Sequence, residues 1–513
     1  MKKSLKLFFS RFQASMCLSV TFVILLSGLS SPAQKQGGKQ NRPVSVPDEC
    51  NEVFFEEIGD LPGDCISSLP TDISSDGLRV VLMSSADEPE IHNDGGVCDP
   101  WLGWPHSNEA AGWTRPCRNI PFFTPPTTGT GGLIGLGYLL DGNPGHHESI
   151  PRGISPDGKI VVGYSNYNEV NNVRAVVFRK DDVAGLALID SGCIAYDVCQ
   201  PGIFPSFQAD PEMHGRIIVG YSNTMNNYAN RMPGARAIYW DDWDHALPLP
   251  YPADSLLPDG EKIISSAAVC ISDDGRIIGG NFFYNKKLSP QHFMSLPCVW
   301  IYNGSTRSDG MYELLCVLDD VAGGDHCATI NQVSGNGMVL VGYGHQTFAD
   351  PECWYFPSVA CKWTLSITGE GMTECGLPEP FPYLQGYESS SAHGVSYDGS
   401  NITGVALNVT GPCQGETFVD VPVIWDGNHL NSRPVNLAKL LEPLVPQGWT
   451  LFSADGISAD GRVITGYAFD ADWNTRAWVA GLPVEKVPLS NWAVIIAVIM
   501  IILITAFRFI SKK

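Results

Sequence analysis

GISPDGKIVVGYSN, residues 153–166, is a tight turn feeding an apolar strand, and the chain makes this move seven times. Ser-Pro-Asp-Gly is turn chemistry: Pro presets φ, Asp bonds to nearby backbone, and Gly accepts a positive φ. Equivalent turns are Ser-Ser-Asp-Gly at 74–77, Ser-Asp-Asp-Gly at 272–275, Ser-Tyr-Asp-Gly at 396–399 and Ser-Ala-Asp-Gly at 458–461. Met213-His214-Gly215 and Gly335-Asn336-Gly337 are degenerate copies in the same place. The closing glycines, Gly77, Gly158, Gly215, Gly275, Gly337, Gly399 and Gly461, stand 81, 57, 60, 62, 62 and 62 residues apart. A period of that size marks one supersecondary unit copied into an array.

Each copy holds three or four short strands. The strand after the turn is a continuous apolar run, as in Ile160-Val161-Val162 and Val339-Leu340-Val341. That pattern predicts a strand covered on both faces, an inner strand lying between neighbouring blades. Five residues after the turn glycine comes another, at Gly163, Gly220, Gly280, Gly342, Gly404 and Gly466, with Leu82 in the first copy. Glycine weakens a strand unless backbones approach closely, so these positions predict tight packing rather than a ligand. A third strand carries an aromatic in register: Trp113, Phe178, Trp240, Trp300, Trp363, Trp425 and Trp478. Such rings fill the space between adjacent units.

The fold expected is all-β, a seven-bladed β-propeller over residues 51–483. The last copy stops at Thr475–Gly481 without a fourth strand, and Val53–Gly59 supplies the matching pattern. An N-terminal strand therefore closes the ring and removes an exposed sheet edge.

The order of turn, VVGYS-type strand, A-x-x-W strand and L-G-x-L segment, as in Leu136-Gly137-Tyr138-Leu139 and GDLPGD at 59–64, resembles the HAF extracellular repeats of bacterial surface proteins. The resemblance implies a secreted or surface propeller and brings no defined reaction with it.

Residues 1–33 have the layout of a secretory signal peptide: Lys2, Lys3, Lys6 and Arg11, an apolar stretch, then Ser31-Pro32-Ala33. Residues 34–50 follow as a linker. At the other end, 484–513 hold AVIIAVIMIILITAF at 493–507 and then Arg508, Lys512 and Lys513. A transmembrane helix over Trp492–Phe507 rises about 24 Å, short of a ~30 Å hydrocarbon core that Trp and snorkelling basic residues can complete. The segment resembles C-terminal sorting signals of the IPTL and PEP type, which implies export machinery and a sorting protease as partners; a plain membrane anchor is the alternative. Both ends point to passage through the inner membrane and residence in the cell envelope or on the cell surface.

Against 32 Lys+Arg stand 54 Asp+Glu, a formal net charge of -22. Nucleic acid is excluded as a partner, because binding it requires phosphate neutralisation. Of 15 Cys, Cys17 falls in the leader, leaving an even 14, in keeping with an oxidising compartment. Cys298 and Cys316 flank one hairpin and Cys361 and Cys375 the matching one, so both are expected as cross-strand disulfides. Cys98 with Cys117 and Cys193 with Cys199 are expected as local staples. No C-x-x-C pair favours a metal.

Function is assigned to the long connections, where aromatic and acidic side chains gather: Phe283 and Tyr284; Asp350, Glu352, Trp354 and Tyr355; Asp470, Asp472 and Trp473. Rings for stacking beside hydrogen-bonding groups suit a glycan or protein ligand, in an adhesion or structural module. The competing class is a polysaccharide-active hydrolase or lyase using loop carboxylates. No cofactor is expected; calcium is weakly suggested at Asp470 and Asp472, without the twelve-residue loop of an EF-hand.

Overall fold

The computed structural model describes residues 53–482 except 62–66, 87–106, 116–132, 138, 140–147, 168, 180–185, 201–215, 224–234, 243–244, 253–262, 286–292, 305–310, 322–327, 346–356, 368–372, 410–417 and 431. The segments expected as signal peptide (1–33), linker (34–50) and C-terminal anchor (484–513) lie outside this set. Among the described residues no helix is long and apolar enough to cross a membrane.

Seven antiparallel sheets follow one another along the chain. Blade 1 is built from Ser68–Ile73, Arg79–Ala86, Ser107–Thr114 and Leu133–Gly137, paired in that order, and blades 2 to 6 repeat the plan. Blade 7 has Val463–Phe469 and Thr475–Gly481, and its outer strand is Phe54–Glu57 from the start of the chain. Phe54 stands opposite Gly481 and Glu57 opposite Trp478. The expected closure by an N-terminal strand is what forms, and the protein is a seven-bladed β-propeller.

The hydrophobic core is divided into seven clusters, each shared by two consecutive blades, and each contains one of the seven aromatics. Trp113 packs with Val463 and Val479 of blade 7, Phe178 with Val81 of blade 1, and Trp478 with Leu437 and Leu441 of the short helix Leu437–Leu441. All seven rings are buried. Each blade is too thin to enclose its own interior, so its stability comes from leaning on its neighbours.

The turn serine is a structural part that composition alone undersells. Ser155, fully buried, donates its hydroxyl to Asp157 Oδ1 at 2.7 Å and accepts from the Ile160 N–H at 3.0 Å. Ser272, Ser334 and Ser458 repeat the geometry. The glycine that ends the turn takes a positive φ, 67° at Gly158 and 78° at Gly399. Between blades the turns form a relay of backbone bonds: Tyr397 N–H donates to Ala459 O, Ala459 N–H to Ser75 O, and Ser75 N–H to Pro156 O.

Three expectations are corrected. The innermost strand is the one before the turn, since these strands line the central cavity; the continuous apolar strand after it is second from the axis, covered by neighbours on both faces. In blade 3 the turn begins before Met213-His214-Gly215, which lies outside the described residues: the inner strand Cys193–Val198 is followed by Cys199, whose sulfur accepts from Ile217 N–H at 3.0 Å in the place of the turn serine, 18 residues apart where Ser155 and Ile160 are 5 apart.

The disulfides also differ. Cys316 on the outer strand of blade 4 is bonded to Cys375 of blade 5, with their Cα atoms 6.6 Å apart. Cys298 faces Val317 rather than Cys316, and Cys375 faces Leu365, four residues from Cys361, so neither expected cross-strand pair is in register. Cys298 and Cys361 carry buried free thiols. Cys193 and Cys199 lie at the two ends of one extended strand, about 20 Å apart at its normal rise, beyond disulfide reach. Cys98 and Cys117 lie outside the described residues.

Candidate functional site

The recurring glycine in the second strand has a consequence on the axis. In six blades the register between inner and second strands slips by one residue, between Pro70 and Asp72, Pro151 and Gly153, Ala195 and Asp197, Ala268 and Cys270, Ile330 and Gln332, and Ala392 and Gly394. In blade 7 the inner strand breaks between Thr450–Leu451 and Gly456–Ile457. In the blades that carry the glycine, an inner-strand carbonyl is pressed onto the second strand, where a side chain would collide with it; blade 1 has the bulge and accommodates Leu82 opposite Pro70. A Cβ on Gly163 would meet Ile150 O, and one on Gly342 would meet Thr329 O.

The residue skipped by each of the six bulges, and in blade 7 the residue just before Gly456–Ile457, is turned toward the axis. These are Thr71, Arg152, Tyr196, Val269, Asn331, His393 and Asp455, one per blade, always three residues before the first turn residue. Arg152 is exposed and the other six are half-buried, in strands whose flanking residues are mostly buried. All seven line a central cavity of about 910 Å³.

The ring has two chemically distinct sides. The Arg152 guanidinium lies 5.6 Å from the centre of the Tyr164 ring and 5.7 Å from that of Tyr196, a cation held between two aromatic faces. From blades 6 and 7, His393 Nδ1 contacts Asp455 Oδ1 at 3.0 Å, and the other Asp455 oxygen accepts from Ser453 Oγ at 2.6 Å. With Nδ1–H donating to Asp455, Nε2 of a neutral imidazole remains an acceptor. The Asn331 amide donates to Ala392 O at 2.7 Å and so fixes blade 5 to blade 6.

Deeper in the cavity, toward the turns, carboxylates join blades. Asp72 accepts from its own Ile73 N–H at 2.8 Å and from Ile154 N–H of blade 2 at 2.9 Å; Asp197 accepts from Val198 N–H and Ile271 N–H in the same way. Burial pushes the Asp72 carboxyl up to about 7, against the pull of these two bonds. Burial, with the Asp72 charge nearby, raises Asp197 as well.

The loop residues singled out from sequence are dispersed. Phe283 and Tyr284 belong to the second strand of blade 4, Ile277–Asn285, not to a loop. Tyr284 is buried in the core shared with blade 3, and Phe283 lines the axial cavity. Asp350, Glu352, Trp354 and Tyr355 lie outside the described residues. Asp470, Asp472 and Trp473 do share one loop, between Val463–Phe469 and Thr475–Gly481.

In that loop Asp470 is an organiser. Its carboxylate accepts from Asp472 N–H, from Asn474 N–H and Nδ2, and from Arg476 Nε at 2.9–3.2 Å. Partial burial would raise its pKa, but the bonds from Asn474, Arg476 and Asp472 outweigh it and hold the carboxyl below the usual range. Both oxygens are therefore engaged, and among the described residues no cluster of three acidic, histidine or cysteine side chains is placed to hold a metal. The same network fixes Trp473 at φ 66°, unusual for a bulky residue, with 78% of its surface exposed. Phe469 backs it at 5.9 Å between ring centres.

The seven axial residues were not recognised from sequence. Their signal was present: three positions before the turn, an array otherwise uniform in its serines, glycines and aromatics carries Thr, Arg, Tyr, Val, Asn, His and Asp.

No known family description matches the chain, and no curated protein does. Among solved structures it is similar to the β-propeller domain of the Trilobed protease from Pyrococcus furiosus, with 10% identity, a TM-score of 0.37, and 83% of this chain and 93% of that one covered. It is also similar to prolyl oligopeptidase B from Galerina marginata, with 11% identity, a TM-score of 0.39, and 83% and 49% covered, so the chain spans about half the length of that protein. A Kuenenia stuttgartiensis hydrazine synthase chain matches at 12% identity and a TM-score of 0.36, with 81% and 96% covered.

Proposed function

We propose that this chain is an exported, envelope-anchored propeller that works as a binding module, holding a glycan or protein on the face opposite its Asp-Gly turns. The signal-like sequence at 1–33, the apolar tail sequence at 484–513 and the Cys316–Cys375 disulfide support the address. One observation carries the binding reading: Trp473 is held in a left-handed backbone conformation by the Asp470 network, and that strain displays a large ring to solvent. Strained backbone that a surrounding network over-determines is a mark of functional sites. A rigid exposed indole suits the apolar face of a sugar ring or an aromatic or aliphatic side chain.

Glycan-array and surface-protein binding by the full chain test this, with Trp473→Ala as the control. Retention of a ligand that falls at least tenfold in the variant, about 1.4 kcal/mol, supports the module; equal retention ends it. Surface shaving of whole cells tests the address, and a cytoplasmic pool with an intact leader would overturn it.

A hydrolase or lyase is the second reading, favoured by the axial Ser453–Asp455–His393 chain rather than by the loop carboxylates first expected, since a histidine hydrogen-bonded to a carboxylate has the arrangement of a general base and its orienting group. Release of new reducing ends or unsaturated sugars from a bound glycan would decide for it.

A further inference from the structure

We propose that the axial cavity is a second binding site, for a small hydroxylated carboxylate, a sugar acid, whose carboxylate is held by Arg152 and whose hydroxyls meet His393 and Asp455. This goes beyond the loop-face reading and does not depend on it.

Arg152 is the only Lys or Arg among the described residues lining the cavity. It projects from the bulge of an inner strand whose other residues, Ser149 to Ile154, are buried. Tyr164 and Tyr196 hold its guanidinium, and no ion pair to it is formed among the described residues. A guanidinium fork matches a carboxylate through two parallel N–H···O bonds.

The rest of the wall sets the remainder of the ligand. Asp72, Asp197, Asp273 and Asp455 place four carboxyl groups on it, and burial favours the neutral form of Asp72, Asp197 and Asp273. A wall with one guanidinium and several carboxyl groups matches a ligand with a single negative group and several hydroxyls. With its Nδ1–H donated to Asp455, His393 offers Nε2 as an acceptor for such a hydroxyl, held in place by Asp455 and, behind it, Ser453. At about 910 Å³ the cavity is of the size that encloses small ligands. The variety of the seven axial residues follows the same logic: structural positions in the repeat need one residue type, and a ring that surrounds an asymmetric molecule does not.

Isothermal titration of the full chain with glucuronate, galacturonate, glucose and acetate tests the proposal. At least one uronate is expected to bind, with glucose and acetate each at least about tenfold weaker. Arg152→Gln is expected to abolish the preference for the uronate over glucose, and His393→Gln to weaken both sugars. Trp473→Ala is expected to leave uronate binding unchanged, which separates failure here from failure of the loop-face reading. Should Arg152→Gln not fold, Arg152→Lys, which keeps the charge and loses the fork, is expected to weaken the uronate at least about fivefold. Neither uronate binding at up to about 10 mM, a concentration that half-fills even a very weak site, would overturn the proposal. So would acetate binding as tightly as the uronate, or a folded Arg152 variant that binds like the parent.

Discussion

Arg216 of blade 3 grips Asp157 of blade 2 at 2.7 Å, at the junction where the turn-to-turn relay of backbone bonds is interrupted. The interruption has a chemical cause: the relay position in blade 2 is Pro156, which has no N–H to donate. Arg216 is 2% exposed and also donates to Cys199 O, so the ion pair replaces the missing bond from within the protein. Removing one partner of a buried pair leaves the other charge uncompensated.

Arg216→Met is therefore expected to destabilise the propeller by about 3 kcal/mol at neutral pH. The effect depends on pH. Burial alone would raise the Asp157 pKa, but the Arg216 bond and charge outweigh it and lower that pKa in the folded state. The pair's contribution is present above the ordinary carboxylate range and fades as pH falls through the lowered folded value. Denaturant melts at pH 7 and pH 3 check this: a cost equal at both would contradict it.

Gly342→Ala places a Cβ against the Thr329 carbonyl at the blade 5 bulge. A cost of about 3 kcal/mol is expected, at the upper end for overpacking because backbone rather than a side chain must yield. Gly386, with nothing within 4 Å of its Cβ position but a φ of 90°, is the comparison for conformational strain without a collision. A thermal shift for Gly342→Ala no larger than that of an exposed-loop substitution would count against the close approach.

The Cys316–Cys375 bond closes a segment with a sequence separation of 59 across two blades. The chain-entropy model gives such a crosslink about 4 kcal/mol. Cys316→Ser and Cys375→Ser should each lower the melting temperature, and reductant should lower that of the parent but not of the variants. Cys298 and Cys361, whose thiols burial pushes well up, should resist alkylation until the protein unfolds. Rapid native labelling of Cys298 would refute that arrangement.

Asp420, buried at the start of the third strand of blade 6, has an Oδ1 without a hydrogen-bond partner among the described residues, and burial pushes its carboxyl up to about 6. A raised folded value means that ionisation opposes folding. The favourable contribution of the neutral acid is complete below the unfolded value near 4 and is lost as pH rises through 6. Asp420→Asn should flatten that part of the stability profile and raise stability at pH 8. Superimposable profiles for parent and variant would show the carboxyl to be solvated.

Much of the architecture was legible because it is written in repeated residue types. The Asp-Gly turns, the seven interblade aromatics and the strand Phe54–Glu57 that completes blade 7 all occupy the places their periodicity indicates. What was misread depended on register. Cys298 and Cys316 are one residue out of alignment across a bulge, and that slip, which no residue type announces, sends Cys316 to the neighbouring blade. The candidate site was hidden for a related reason. The glycines at Gly163 and Gly342 are the close-packing positions their recurrence predicts, but their partner is a bulge, and a bulge reverses the side-chain alternation that would have kept Arg152 and Asn331 out of the lumen.

Single cysteines placed along the inner strands test the central claim, that one bulged residue per blade faces an axial lumen. Tyr196→Cys, Val269→Cys and Asn331→Cys should react with a small water-soluble thiol reagent in the native protein, while Ala195→Cys, Ala268→Cys and Ile330→Cys, one position earlier, should not. Labelling that alternates the other way, or that is equal at both sets of positions, would contradict the account.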